Sequence, residues 1–253
     1  MNPQYLARPN GHKLAYHSLA GRGPTIVFLP GFRSDMTGSK ATRLWQLAQA
    51  RGQACVLFDY RGHGQSSDRF ENGTIGDWAS DAVAIIDEVT QGPLLLVGSS
   101  MGGWIMLLAA IARPERVMGM IGIAAAPDFT ERLIRPDLSA GDIAALERDG
   151  QILLPSEYGE PTPLTKKLLD EGRDQLVMDG PIKLTCPVYL LHGQADPDVP
   201  WQTSIDLAAN LESSGVTVEL IKDGDHRLSR EADLGRLESL VVRMLTDHPV
   251  AAN

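Results

Sequence analysis

A mostly parallel β-sheet with helices on both faces is the fold class this sequence predicts, and three observations predict it. Short apolar, β-branched runs alternate with amphipathic stretches from Thr25 to Thr246, the pattern of strands joined by crossover helices. The runs TIVFL, LLLV and VYLL are almost continuously apolar, as a strand buried on both sides requires. The chain of 253 residues, 43% hydrophobic and 22% charged, can also bury one large core, so a single domain over 1–253 is expected.

The elements follow in order. The N-terminal MNPQYLARPNGHKLAYHSLAG lacks a long apolar leader, and its PNGH reads as a hairpin turn between two short strands. TIVFLP is the next strand, followed by a helix near Ser39 to Arg51, the strand ACVLFDY and a helix near Ile75 to Val89. Thr74 or Asp77 can cap that second helix, and Trp78, Ala82, Ile85, Ile86 and Val89 recur at helical spacing to face the sheet. Then come LLLVG, a helix from about Met101 to Ala112 that Pro114 cannot continue, and VMGMIGIAA. The rhythm resumes at CPVYLLHG, with a helix near Trp201 to Ser213, the strand VTVELI and a last helix near Glu231 to Thr246.

Between them, 128–184 breaks the alternation. It is rich in Pro, Asp, Glu and Arg and holds short helical patterns in AGDIAALERDG and PLTKKLLDEGRDQLV. A structureless loop of that length is foreign to a compact domain, so a small helical insertion above the sheet, acting as a lid, is expected; an elongated crossover connection is the plainer alternative.

Charge and composition exclude several functions. A net charge of −9 offers no basic field for phosphates or anionic membranes, so nucleic acid is not an expected partner. No segment reaches the roughly 18 to 20 apolar residues of a membrane span. Cys55 and Cys186 each sit inside an apolar run, which reads as two buried thiols in a reducing compartment rather than a disulfide or metal site. A cytoplasmic location is expected on these grounds. PheAspTyrArgGlyHisGlyGlnSerSer fails as a dinucleotide fingerprint, and neither H-E-x-x-H nor C-x-x-C occurs, so no cofactor and no metal are expected. The glycine-rich segment reads as a tight turn in which Asp59 and Arg61 bond neighbouring loops.

Chemistry concentrates at Gly98-Ser99-Ser100-Met101-Gly102, a G-x-S-x-G between a buried strand and an apolar helix. That setting is a nucleophile elbow, in which Gly98 and Gly102 relieve the collisions of a sharp turn and Ser100 projects from it. A neutral serine needs a base, and the base a partner that fixes its tautomer. Of the six histidines, His226 in AspGlyAspHisArg follows the last strand and can face the elbow. His192 reads as structural at a strand end, His63 as part of the glycine loop, and His12, His17 and His248 as solvated residues near the termini. The acid is expected at Asp196, with Asp198 second and Asp223 and Asp225 set aside for flanking His226 too closely. Two oxyanion donors are expected, the backbone N–H of Met101 after the nucleophile and that of Phe32 in LeuProGlyPheArgSer, where Gly31 lets the chain turn close to the site. Phe32's ring can also wall an acyl pocket.

LeuProGlyPhe, PheAspTyrArgGlyHisGlyGlnSer, ValGlySerSerMetGlyGlyTrp and LeuHisGlyGlnAlaAspProAspValProTrp, with the chain order Ser100, Asp196, His226, resemble an α/β-hydrolase along nearly the whole chain. The extended elbow GlySerSerMetGlyGlyTrp, AlaAlaIleAlaArgProGlu after it, and the later LeuHisGly, ValProTrp and AspHisArg resemble the mitochondrial acyl-protein thioesterase and acyl-glucuronide esterase type within that family, over about 25–240. The resemblance implies hydrolysis of small-molecule or acyl-protein esters and thioesters through an acyl-enzyme on Ser100. It matches fewest residues in 128–184, and the absence of a transit segment points to a bacterial or cytosolic relative. Other cofactor-free reactions of the fold, perhydrolysis or carbon–carbon bond hydrolysis, and a non-catalytic ligand receptor are the competing readings. Oligomeric state is not encoded in these patterns.

Overall fold

The computed structural model describes residues 2–9, 11–154 and 161–247. β1 (Gln4–Ala7) and β2 (Lys13–Leu19) form the expected antiparallel hairpin. They are followed by β3 (Arg22–Leu29), α1 (Ser39–Arg51), β4 (Gln53–Phe58), α2 (Ile75–Val89), β5 (Leu94–Ser99), α3 (Met101–Ala112) and β6 (Val117–Ile123). After an intervening segment come β9 (Val188–Gly193), α7 (Gln202–Asn210), β10 (Val216–Ile221) and α8 (Glu231–Asp247). The eight strands pair in the order β1-β2-β4-β3-β5-β6-β9-β10. β1, β2 and β4 meet antiparallel, and every pair from β4 to β10 runs parallel. This is the fold class expected from the alternation of the sequence.

The continuous apolarity of the strands has a direct cause. In β3, Val27 and Leu29 pack toward α2 and α3 with Ile85 and Trp104, while Ile26 and Phe28 pack toward α1 and α8 with Leu44 and Val241. β5 divides likewise, with Leu94 and Leu96 on one face and Leu95 and Val97 on the other. Alternate side chains point to opposite faces, and both faces are core. Caps fix the helix ends: Thr74 accepts the Asp77 N–H at the start of α2, and Gly52 in the left-handed conformation closes α1.

Between β6 and β9 lies an insertion in place of a simple crossover. It comprises a π-helical turn at Thr130–Ile134, α4 (Arg135–Asp137), α5 (Ala140–Asp149), β7 (Gln151–Leu154), β8 (Thr162–Thr165) and α6 (Lys166–Gly172). β7 and β8 pair antiparallel, with Gln151 opposite Thr165. This hairpin corrects the purely helical expectation for the segment: Pro161 and Pro163 precede the helical run, and Thr165 caps α6 by accepting the Leu168 N–H, so the helix begins only at Lys166. Both ends of the insertion converge on Asp128, which is fully buried at φ 57°. Its carboxylate accepts the N–H groups of Val177 and Met178 at 2.9 and 2.8 Å.

Three smaller expectations change. α7 ends at Asn210 and not near Ser213, because Ile182 pairs with Leu211 as an isolated bridge and the chain there turns from helix to extended pairing. Cys55 is buried, whereas Cys186 is only half-buried. His12 and His17 are half-buried, His12 facing Asp68 and His17 edge-on to Trp45, while His248 lies outside the described residues. No helix among the described residues is long and apolar enough to cross a membrane.

Candidate active site

Ser100 sits between β5 and α3 at φ 54° and ψ −122°, a backbone conformation that side-chain-bearing residues rarely adopt. The turn is possible only because its neighbours lack side chains: a Cβ on Gly102 would lie 2.0 Å from the Leu29 carbonyl oxygen, and one on Gly98 2.4 Å from that of Gly102. Backbone bonds clamp the turn, with Ser100 N–H donating to Ile123 O at 2.9 Å and Ser100 O accepting from Gly103 and Ala126.

Two loops from the far side of the sheet reach Ser100. The His226 Nε2 lies 2.9 Å from Ser100 Oγ, and its Nδ1 lies 2.8 Å from Asp196 Oδ2. The loops can meet because Gly193 has no Cβ, which would fall 2.1 Å from the Gly224 carbonyl oxygen; Ala195 N–H donates to that same oxygen. A carboxylate only accepts, so His226 carries its proton on Nδ1 and leaves Nε2 to accept from the serine hydroxyl. The Asp196 side chain is sealed from solvent. Burial opposes its ionisation, yet hydrogen bonds from His192, His226 and the Val199 N–H hold its carboxyl well below the usual range.

His192 does more than the structural role expected of it. It is fully buried, with Nδ1 2.7 Å from Ser204 Oγ and Nε2 within 3.0 Å of Val199 O and 3.2 Å of Asp196 Oδ2. Nε2 faces two acceptors, so it bears the proton and donates, reaching the same Asp196 Oδ2 that His226 engages. Asp198 is exposed and engages Asp196 through its backbone, its N–H donating to Asp196 Oδ1 at 2.8 Å. Asp225 accepts the Leu228 N–H and Asp223 pairs with Arg230.

On the opposite side, Gly31 brings the β3–α1 loop against the elbow; a Cβ there would meet Ser99 O at 3.2 Å and Ser100 Cβ at 3.4 Å. Phe32 and Met101 both line a cavity of about 680 Å³ that opens at Ser100 and His226. Phe32, Phe129, Leu133, Ile134 and Leu154 form its apolar side, and Ser39, Lys40, Arg227 and Ser229 its polar side. Phe129, Leu133, Ile134 and Leu154 belong to the insertion; the sequence places an apolar floor beneath 128–184 without naming these residues.

Asp196, Asp198 and His226 present atoms close enough to hold a metal. Both oxygens of Asp196 are already engaged by hydrogen bonds, as is the His226 Nδ1, so this donor set is committed to orienting the imidazole.

The model of the Alpha/beta hydrolase family matches residues 26–237. The human protein named palmitoyl-protein thioesterase ABHD10, mitochondrial, is 40% identical over 232 residues, covering 91% of this chain and 76% of that protein. Its mouse counterpart is 41% identical over 234 residues, covering 91% and 78%. The solved structure of alpha/beta hydrolase domain-containing protein 10 from mouse superposes with a TM-score of 0.90 at 38% identity, covering 98% of this chain and 99% of that one. These names overturn the expectation of a cytoplasmic location, because the relatives are mitochondrial. Net charge and free cysteines describe a folded domain; they do not encode its compartment.

Proposed function

This chain belongs to the alpha/beta hydrolase family and is a hydrolase acting on ester or thioester bonds, and from that premise we propose that it cleaves acyl thioesters and carboxylic esters with Ser100 as nucleophile, His226 as general base and Asp196 as the acid that orients the histidine. Ser100 Oγ attacks the acyl carbon as His226 Nε2 takes its proton. The backbone N–H groups of Met101 and Phe32 receive the oxyanion. Collapse of the tetrahedral intermediate expels the thiol or alcohol, protonated by His226, and leaves an acyl-enzyme; water, deprotonated by His226, then releases the carboxylic acid and restores Ser100.

The observation that carries this reading is the unbroken chain from Ser100 Oγ through His226 to the sealed Asp196 carboxylate, at 2.9 and 2.8 Å. The apolar side of the cavity suits an acyl chain of several carbons, with the insertion as its lid, and an acylated small molecule or an acylated protein thiol both fit the reading. Thioesters are the favoured class, as in the relatives named as thioesterases, because a departing thiolate needs less protonation than an alkoxide. Fluorophosphonate labelling tests the activated serine. A matched series of thioesters and oxyesters tests the substrate: kcat/KM should be higher for the thioester of each acyl group, and equal or reversed values remove the thioester preference while leaving the serine chemistry.

A further inference from the structure

His63 takes no part in the hydrogen-bond chain through Ser100, yet it is buried beside the site with both ring nitrogens engaged. Its Nδ1 lies 3.2 Å from Arg61 O, and its Nε2 lies 3.3 Å from the Arg33 backbone nitrogen. The Arg33 amide only donates and the Arg61 carbonyl only accepts, so the ring is neutral with its proton on Nδ1 and a free lone pair at Nε2. We propose that His63 is a positioning residue for the oxyanion hole: by accepting the Arg33 N–H it fixes the Gly31–Phe32–Arg33 turn so that the Phe32 N–H points at the reacting carbonyl. The inference rests on the reading of Phe32 as an oxyanion donor.

Three features support it. Arg33 has φ 54°, a left-handed conformation that a non-glycine residue keeps only when its surroundings hold it. His63 is itself rigid, edge-on to Tyr60, Phe70 and Trp78, and its Arg61 anchor is bound through backbone and guanidinium to Asp81. The same glycine-rich loop grips the far end of the turn, where Asp59 Oδ1 accepts the Met36 N–H at 2.7 Å. The β4–α2 loop thus holds the β3–α1 loop at two points just after Phe32, Arg33 and Met36.

The test compares His63→Phe, which keeps an aromatic ring and loses the acceptor, with His63→Gln, which keeps an acceptor and loses the ring. A misplaced oxyanion donor should lower kcat of His63→Phe by about ten- to a hundredfold with KM nearly constant. Affinity for a trifluoromethyl ketone, which forms a tetrahedral adduct with Ser100, should fall by the same factor, and His63→Gln should recover part of both. Wild-type kcat and ketone affinity in His63→Phe, or a His63→Gln worse than His63→Phe, would overturn the proposal in favour of packing alone. Nitrogen-15 NMR of the wild-type ring decides independently of how the variants fold: an unprotonated Nε2 is expected, and a proton there overturns the inference. Fluorophosphonate capture of the wild type separates the two layers, since failure to capture defeats the underlying serine reading, whereas capture with an indifferent His63 defeats only this one.

Discussion

Ser100 and Asp196 carry the sharpest expectations for single residues. Ser100→Ala removes one hydroxyl and disturbs no core, so the melting temperature should hold while kcat falls by roughly 10⁴ to 10⁶; ester turnover close to wild type in the folded variant would defeat the mechanism. Asp196→Asn should lower kcat steeply, because an amide can donate and so stabilises the wrong histidine tautomer. Asp198→Asn should do far less, since Asp198 reaches the acid through its backbone N–H; the two kcat values measured side by side decide between them. These positions were legible because an elbow demands glycines at fixed offsets from its serine, and because acid and base each lie in the loop after a strand. The contacts of His192 with Asp196 and of His63 with Arg33 were not legible. Both depend on how a loop closes in space, and the only trace in sequence is a histidine beside a glycine, His192 at the end of β9 and His63 in the loop after β4.

At the scale of elements, the elbow and the insertion behave differently under substitution. Gly102→Ala drives a Cβ into the Leu29 and Pro30 carbonyls, so overpacking should cost about 1 to 3 kcal/mol or more and disturb the turn. A lower melting temperature together with weakened fluorophosphonate labelling is the expected result. The insertion should act on substrate size instead. Burial of each methylene is worth roughly 0.8 kcal/mol, so kcat/KM should rise about fourfold per carbon of the acyl chain until the cavity is full. Leu133→Ala should move that limit to longer chains, and a chain-length profile unchanged by the substitution would remove Leu133 from the acyl wall. Helices α1, α2 and α3 were readable to their ends because caps and breakers sit in the sequence itself. The β7–β8 hairpin was not, since its four-residue strands are half-exposed and too short for a period of two to stand out from the helical runs on either side.

For the molecule as a whole, stability against pH reports two buried groups with opposite slopes. Burial pushes the His63 imidazole down to about 4, so between that value and its ordinary 6.5 the unfolded chain binds the extra proton. Its contribution is complete above pH 6.5 and is lost as the pH falls toward 4, on the order of 3 kcal/mol. Burial pushes the Asp59 carboxyl up to about 6, so stability from this group is greatest below pH 3.8 and is lost as the pH rises through 6. The two partly cancel in the wild type. The stability difference between wild type and His63→Gln, measured by urea unfolding, should therefore shrink from pH 6.5 to 4, whereas the difference from Asp59→Asn should grow. The layered parallel sheet was legible from alternation and apolarity, but the order β4-β3-β5 was not, because strand neighbours are chosen by crossover connections that leave no mark on composition. Asp128 bears on the molecule's architecture in a further way. By gathering the departing and returning chain at one buried carboxylate, it brings together the two ends of the segment from Phe129 to Leu176, to which none of the proposed reacting groups belongs. Leu146, Leu164, Leu168 and Leu169 of that segment share one core with Trp78 and Trp104 beneath it, so a change made there is felt through packing as well as through the chain ends.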